Sequence, residues 1–172
     1  TLVAAVHAPA EKKLHVAHAG DSRCYRIRGS EILSLTRDHS LYAEAILQRP
    51  DLSALEQSYL PKNVLTRALG TTRDVDIEMG SADAEVGDVF LLCSDGLHGL
   101  VEDDAIAAIV DANPALTEAC AKLIDEANRM GGKDNITAVL VRIEEDDEPW
   151  SHRKTGSLPP DEHKRGASPS KD

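Results

Sequence analysis

Three aspartates stand beside glycine-containing turns at the ends of apolar segments of this sequence. Asp21 interrupts a run of strand-like residues, Asp95 follows the apolar segment 89–93, and Asp134 precedes the apolar segment 136–143. Carboxylate oxygens are the ligands that hard cations such as Mg²⁺ and Mn²⁺ prefer. Glycines next to them allow another backbone to approach closely. If the three segments converge, they predict a divalent-cation site built from Asp21, Asp95 and Asp134.

The same residue pairs are also typical of ordinary turns. An aspartate beside a glycine commonly accepts hydrogen bonds from the amides of its own turn. For each pair taken alone, the turn is the simpler interpretation. Three pairs in one chain, each against an apolar segment, favour a shared carboxylate site, although spacing alone does not show that they converge.

The elements that would position these aspartates are mostly strands. Apolar residues that alternate or run continuously predict strands over residues 2–8, 13–19, 24–28, 31–36, 75–84, 89–93 and 136–143. Apolar residues at helical spacing predict helices over residues 41–48, 52–60, 103–112 and 115–130. Gly29-Ser30 separates two strands by only two residues, which favours a tight hairpin turn. The first two helices form an insert that interrupts the run of strands.

The composition indicates an acidic, globular chain. Its 172 residues include 19 Lys and Arg against 30 Asp and Glu, a net charge of −11, which argues against non-specific binding to nucleic acid or anionic lipid. No apolar run approaches the roughly 20 residues of a membrane span. We expect one domain over residues 1–145 and a disordered tail over residues 146–172, where acidic residues, Pro and Ser dominate. Cys24, Cys93 and Cys120 are far apart, so we expect reduced, buried thiols of a cytoplasmic protein.

Several short motifs occur in a fixed order along the chain. They are Gly20-Asp21-Ser22-Arg23, Thr36-Arg37-Asp38-His39-Ser40, Leu65-Thr66-Arg67-Ala68-Leu69-Gly70, Ser94-Asp95-Gly96-Leu97 and Gly132-Lys133-Asp134-Asn135. In this order, with a helical insert between the second and the third, they resemble the metal-dependent protein phosphatases of the PPM type (type 2C), in particular the bacterial branch. The resemblance covers residues 1–143. It implies an α+β fold: a β-sandwich of two mostly antiparallel sheets flanked by helices.

The resemblance also implies a reaction and a set of site residues. In this family, water activated by two Mn²⁺ or Mg²⁺ ions attacks the phosphorus of phosphoserine or phosphothreonine. By motif, Asp95 and Asp134 would be metal ligands, and Asp21 would lie at a third, weaker metal site that shares Asp95. The residues that would support the site loops are Ser94, Gly96 and Asn135. The insert from Ser40 to Leu60 would be the flap beside the active site, where substrates are selected.

Part of the family pattern has no counterpart in this sequence. The family's N-terminal motifs supply a metal-bridging aspartate in an Asp-Gly pair, a phosphate-binding arginine and a histidine proposed as general acid, whereas the only Asp-Gly pair here is Asp95-Gly96. Gly99 also stands where many relatives carry an acidic residue. We therefore expect the C-terminal portion of a phosphatase domain, inactive in isolation, with its catalytic residues in the missing part. The alternative is a catalytically inactive pseudophosphatase or regulatory binding module of the same fold.

The resemblance further implies phosphorylated proteins as partners, with Ser/Thr kinases acting in opposition, and we expect a monomer.

We expect structural roles for several histidines of the domain and for Arg67. His15 and His18 lie three apart on a strand and therefore face opposite sides. His39 is expected to form local hydrogen bonds, and His98 to be an exposed loop residue rather than a neighbour of the metal site. Arg67 is expected to form a structural ion pair rather than to contact substrate.

Overall fold

The computed structural model describes residues 1–145, so the predicted disordered tail, 146–172, lies outside the described residues. The seven strands of this part are β1 (Leu2–Ala8), β2 (Lys13–Ala19), β3 (Arg23–Arg28), β4 (Glu31–Ser34), β5 (Glu78–Asp83), β6 (Val89–Cys93) and β7 (Ala138–Arg142). Its α-helices are α1 (Leu41–Gln48), α2 (Ala54–Ser58), α3 (Asp95–His98), α4 (Asp103–Asp111) and α5 (Leu116–Arg129). Every strand and helix expected from the sequence is present, with ends that differ by a few residues.

The strands form two antiparallel sheets. One sheet has the order β1-β2-β5, and the other has the order β4-β3-β6-β7. Arg28 pairs with Glu31 across the β3–β4 hairpin, and Gly29 has a φ of +57°, so the predicted two-residue turn is confirmed. The arrangement confirms the predicted α+β sandwich.

Two apolar clusters hold the layers together. On one face of the four-stranded sheet, Tyr25 and Leu91 pack with Ile106 of α4 and Leu123 of α5, and all four are fully buried. The second cluster lies between the sheets, and its buried members are Leu14, Val16, Cys24, Ala84, Phe90 and Ile143. Helices α4 and α5 therefore cover one sheet, as the helical spacing of their apolar residues predicts.

The three-stranded sheet keeps an exposed apolar face. Leu2, Val6 and Met79 project from its β1 and β5 edges, and Met79 is 80% exposed. Val139 and Val141 of β7 are also exposed. Apolar side chains are therefore exposed on edge strands of both sheets. Among residues 1–145, no helix is long and apolar enough to cross a membrane.

The sequence prediction is wrong at the end of β6. We expected a sharp glycine turn after Cys93, whereas the chain forms the single helical turn α3, which begins at Asp95. The second helix of the insert is also shorter than expected, because Ser53 and Glu56 cap each other's backbone amides and start it at Ala54. These differences matter because α3 carries Asp95.

Leu123→Ala should lower the free energy of unfolding of the chain by about 3 kcal/mol, since it removes a fully buried side chain from the α5–sheet contact. Urea denaturation followed by circular dichroism measures the change. The matched control is Leu55→Ala in α2, where the side chain is 67% exposed. Equal losses in the two variants would contradict this account of the core.

Candidate metal centre

Asp95 and Asp134 lie on two loops that meet at one end of the four-stranded sheet. Strands β6 and β7 are antiparallel, and Cys93 at the end of β6 pairs with Ala138 at the start of β7. The segment that leaves β6 therefore lies beside the segment that enters β7. Asp95 begins α3 in the first segment, and Asp134 lies in the second, four residues before β7.

Ser94 joins these two loops by hydrogen bonds. Its hydroxyl donates to the carbonyl of Asn135 at 2.9 Å and accepts from the amide of Thr137 at 3.0 Å. Its own amide donates to the carbonyl of Thr137 at 3.1 Å. A side chain that forms hydrogen bonds in both directions holds the segments in one register.

Gly96 brings the same two loops into direct backbone contact. A Cβ atom at this position would lie 2.4 Å from the carbonyl oxygen of Asn135 and 3.4 Å from the carbonyl carbon of Asp134. Gly96 is buried and its φ is ordinary for an L-residue, so the constraint is space rather than conformation. Only glycine permits this approach between the loops that carry Asp95 and Asp134.

Each of the two aspartates also caps its own turn. One carboxylate oxygen of Asp95 accepts from the amide of Gly96 at 3.0 Å, and one of Asp134 accepts from the amide of Asn135 at 2.7 Å. The turn interpretation of the sequence is thus correct as far as it goes. A carboxylate has about four acceptor positions on two oxygens, and both residues are exposed, so capping leaves a carboxylate oxygen of each available to a cation.

Asp21 approaches the same end of the fold from the β2–β3 connection. Its half-buried carboxyl has a raised pKa, first because burial disfavours its charge and second because the charge of Asp95 repels it. Asp21 and Asp95 are therefore close enough for their charges to interact. A divalent cation at that place would remove the repulsion, so the donor set suits one.

His98 connects α3 to the Asp21 loop. Its Nε2 lies 2.9 Å from the backbone carbonyl oxygen of Asp21 and donates a hydrogen bond to it. The side chain is half-buried, and burial lowers the pKa of this imidazole, so the ring is neutral at pH 7. The expectation of an exposed loop histidine is therefore wrong, because the single turn of α3 rotates His98 inward.

The three aspartates do not form a closed cage. Within residues 1–145, the one group of three or more potential ligands whose atoms all lie within 4.8 Å of one another is His18, His39 and Glu78. Sequence reasoning missed this buried group because Glu78 lies 39 residues from His39 on a weakly patterned strand. The site of Asp21, Asp95 and Asp134 is open and therefore needs further ligands.

Other predicted polar roles agree with the structure. His15 is exposed while His18 on the same strand is buried. His39 forms local hydrogen bonds, and Arg67 lies 4.0 Å from the carboxylate of Glu78, in keeping with a structural ion pair. These residues occupy the region between β2, β5 and the base of the insert.

The cysteines have no nucleophilic setting. Cys24 and Cys93 are buried, and burial raises the pKa of each thiol to about 12. Cys120 is half-buried rather than fully buried as expected. At neutral pH the two buried thiols remain protonated and act as core side chains.

The insert from Ser40 to Leu60 is tied at its base beside the Asp21 loop. The amide of Leu41 donates to the carbonyl of Val64 at 2.9 Å, and the amide of Thr66 donates to that of His39 at 2.8 Å. Helix α1 covers a cavity of about 380 Å³ whose lining includes Arg23, Arg37, Tyr42 and Ile46. Arg23 is two residues from Asp21 in the chain, so one edge of the cavity lies near the loop that carries Asp21.

Gly96→Ala should destabilise the fold by about 1–3 kcal/mol, because the added methyl group forces the Asn135 carbonyl away. Chemical denaturation measures the loss. The control is Gly80→Ala in β5, where an added Cβ meets nothing within 4 Å. Similar stability of the two variants would contradict the tight contact between the loops.

Comparisons with known proteins identify the family. The family model for protein phosphatase 2C matches residues 2–136. The serine/threonine phosphatase stp of Listeria monocytogenes is 37% identical over 142 residues, which are 82% of this chain and 55% of that protein. Among solved structures, the serine/threonine phosphatase Stp1 of Staphylococcus aureus matches with a TM-score of 0.74 and 30% identity, over 83% of this chain and 56% of that one.

A further solved structure, the catalytic domain of the phosphatase PstP in complex with two manganese ions, matches with a TM-score of 0.67 and 29% identity, over 83% of this chain and 58% of that one. This chain therefore spans little more than half the length of the relatives that it matches. The order of its motifs, its two antiparallel sheets and these similarities agree, and the chain belongs to the protein phosphatase 2C family.

Proposed function

We propose that this chain provides one half of the metal-binding active site of a protein serine/threonine phosphatase. The observation that carries the proposal is the contact of Gly96 with the Asn135 backbone, which places the Asp95 and Asp134 loops against each other. Asp95 and Asp134 are the proposed ligands of the catalytic ions. Asp21 is the proposed ligand of a third ion, which it shares with Asp95.

The proposed ions are Mn²⁺ or Mg²⁺. All three proposed ligands are carboxylates, which suit hard cations, and the similar PstP domain was solved with two manganese ions. When bound, such ions lower the pKa of a coordinated water and neutralise charge on the phosphoryl oxygens. The protein's own contribution is to hold the carboxylates in place, through Ser94, Gly96 and the Asn135 backbone.

The proposed reaction is hydrolysis of phosphoserine and phosphothreonine in proteins. The family's N-terminal motifs supply further ligands and the phosphate-binding group, and we propose that this chain needs them for activity. On this proposal the isolated chain is inactive or nearly so. The open carboxylate site supports this, since Asp21, Asp95 and Asp134 do not enclose an ion by themselves.

Substrate selection is proposed for the insert from Ser40 to Leu60, the flap. The cavity beneath α1 offers apolar side chains with two arginines at its border, and it adjoins the Asp21 loop. Arg23 is held by a bidentate ion pair with Asp38 at 2.7 and 2.8 Å, whereas the Arg37 side chain is 53% exposed. Arg37 also lies 3.6 Å from Glu78, but it is the more exposed of the two arginines and therefore the one proposed to contact an acidic or phosphorylated peptide.

The wider setting follows from this function. A phosphoserine and phosphothreonine phosphatase opposes Ser/Thr kinases, and we propose that the protein acts on their substrates as a cytoplasmic monomer in signalling. An inactive pseudophosphatase of the same fold stays the alternative.

Asp95→Asn and Asp134→Asn should each weaken Mn²⁺ binding by the 172-residue chain at least about tenfold, since each removes a charged ligand. Isothermal titration calorimetry measures the affinity. Asp125→Asn is the matched control, because Asp125 is exposed on α5 and should leave Mn²⁺ binding unchanged. Equal affinity in all four proteins would refute the ligand assignment.

A chimera tests the activity itself. Residues 1–145 should replace the matching half of the Listeria phosphatase and give Mn²⁺-dependent hydrolysis of a phosphothreonine peptide. The same chimera with Asp95→Asn should lose at least about 100-fold in rate, because the metal supplies the attacking water. A chimera that folds and binds Mn²⁺ but does not hydrolyse the peptide would favour the pseudophosphatase.

A further inference from the structure

A polar cluster of two buried histidines and the partly exposed Glu78 lies beside the candidate metal centre and is not part of it. The rings of His18 and His39 stack with centroids 4.5 Å apart and planes 15° from parallel. Each residue is only 3% exposed. Glu78 of β5 completes the cluster, with one carboxylate oxygen 3.1 Å from Nε2 of His39.

The ligand atoms of this cluster are as close together as those of a metal site, but the proton positions on its histidine rings exclude a cation. Nδ1 of His39 accepts a hydrogen bond from the amide of Gly20 at 3.1 Å, so the proton of the neutral ring is on Nε2. That N–H donates to Glu78, which leaves no lone pair on Nε2 for a cation. A histidine that binds a metal through Nε2 normally donates a hydrogen bond from its other nitrogen, and here that nitrogen faces a donor.

The charges around Glu78 lead to the same conclusion. Arg37 lies 3.6 Å and Arg67 lies 4.0 Å from the same carboxylate oxygen. Nε2 of His18 lies 2.9 Å from the carbonyl oxygen of Arg37 and donates to it. Two guanidinium groups already compensate the carboxylate, so the cluster is a hydrogen-bonded unit rather than a cation site.

His39 forms hydrogen bonds with both backbone polar groups of Gly20. The His39 amide donates to the Gly20 carbonyl at 3.0 Å, and the His39 ring accepts from the Gly20 amide at 3.1 Å. Gly20 has a φ of +113°, a conformation that L side chains rarely adopt. Because Gly20 immediately precedes Asp21, its orientation determines where the Asp21 carboxylate points.

We propose that His39 is a positioning residue for Asp21: its neutral ring, oriented by Glu78, fixes the Gly20 peptide and couples it to the base of the flap. The coupling passes through the His39 carbonyl, which accepts from the amide of Thr66 in the segment after the insert, and through Arg67, which lies 4.0 Å from the carboxylate of Glu78. The consequence for metal binding rests on the proposed role of Asp21, whereas the effect on Gly20 does not.

The arrangement requires a neutral His39. Its ring is faced by His18 of β2, Glu78 of β5, Arg67 after the insert and Arg37 on the preceding segment. Burial lowers the pKa of His39 and outweighs the opposing effect of Glu78. A proton on Nδ1 would place two donors, this N–H and the Gly20 amide, opposite each other. The hydrogen bond from the Gly20 amide to His39 is therefore present above the ordinary histidine pKa of about 6.5, and it is lost as the pH falls through the lower pKa of His39 in the folded chain.

Two variants of His39 separate its hydrogen bond with Gly20 from its hydrogen bond with Glu78. His39→Asn places a side-chain oxygen near the position of Nδ1, so it still accepts from Gly20 but does not reach Glu78. His39→Gln places an amide nitrogen near the position of Nε2, so it still donates to Glu78 but offers Gly20 no acceptor. Amide exchange at Gly20, measured by nuclear magnetic resonance on the 172-residue chain, should be about tenfold faster in His39→Gln than in His39→Asn. Equal rates in the two variants would overturn the proposal.

A second measurement needs no variant of His39. In the unmodified chain, the Gly20 amide shift and the His39 ring protons should titrate with one midpoint, and Glu78→Gln should move both midpoints to lower pH. Different midpoints would overturn the proposal. A ring that merely fills space would not make the Gly20 amide follow its titration.

Mn²⁺ binding then tests the link to Asp21. His39→Gln should bind Mn²⁺ at the Asp21 site about tenfold more weakly than His39→Asn, the usual effect of losing an outer partner of a ligand. Different Gly20 exchange with the same Mn²⁺ affinity would support the control of Gly20 by His39 and overturn the assignment of Asp21 to a metal site.

Discussion

The site depends on one close contact, in which Gly96 packs its backbone against the carbonyl of Asn135. The pairing of β6 with β7 brings the two loops to the same end of the sheet, and the hydroxyl of Ser94 fixes their register. The apolar core between this sheet and the helices, which includes Leu91 and Leu123, keeps α5 in place. The loop that carries Asp134 follows α5 and so begins at a defined point. Apolar packing thus fixes the sheet, the sheet places the two loops, and the missing side chain of Gly96 lets the loops that carry Asp95 and Asp134 lie against each other.

Acidic side chains are concentrated in the part of the chain that carries Asp95. From residue 74 to residue 121 the sequence has twelve acidic residues and no Lys or Arg. Two of the three arginines of β3 form ion pairs, since Arg23 pairs with Asp38 and Arg28 pairs with the buried Asp88. The raised pKa of Asp21, caused by burial and then by Asp95, is the local result. The negative field of these carboxylates attracts divalent cations, and it repels a phosphate dianion until the cations are bound.

The strands and long helices were predictable because their signals are local. The continuous apolar run of β6 and the helical spacing of α5 each decide one element within a few residues. The single turn α3 was missed, because four residues carry too little periodicity to distinguish a helix from a turn, and the inward position of His98 was missed with it. The partnership of His39 with Glu78 depends on the pairing of β2 with β5 across the insert, which no pattern within one segment encodes.

The three proposed ligands are consequently held by interactions of different kinds. Asp95 and Asp134 are fixed by backbone packing and by strand pairing, which change only if the sheet itself changes. Asp21 is fixed through Gly20 by the imidazole of His39. The nitrogen of this ring that accepts from Gly20 can be protonated, and the other nitrogen donates to Glu78. Hydrogen bonds to a titratable ring are easier to break than a packed backbone. Of the three proposed ligands, Asp21 is therefore the one whose position is most easily changed, through contacts at the place where the insert joins the sheet.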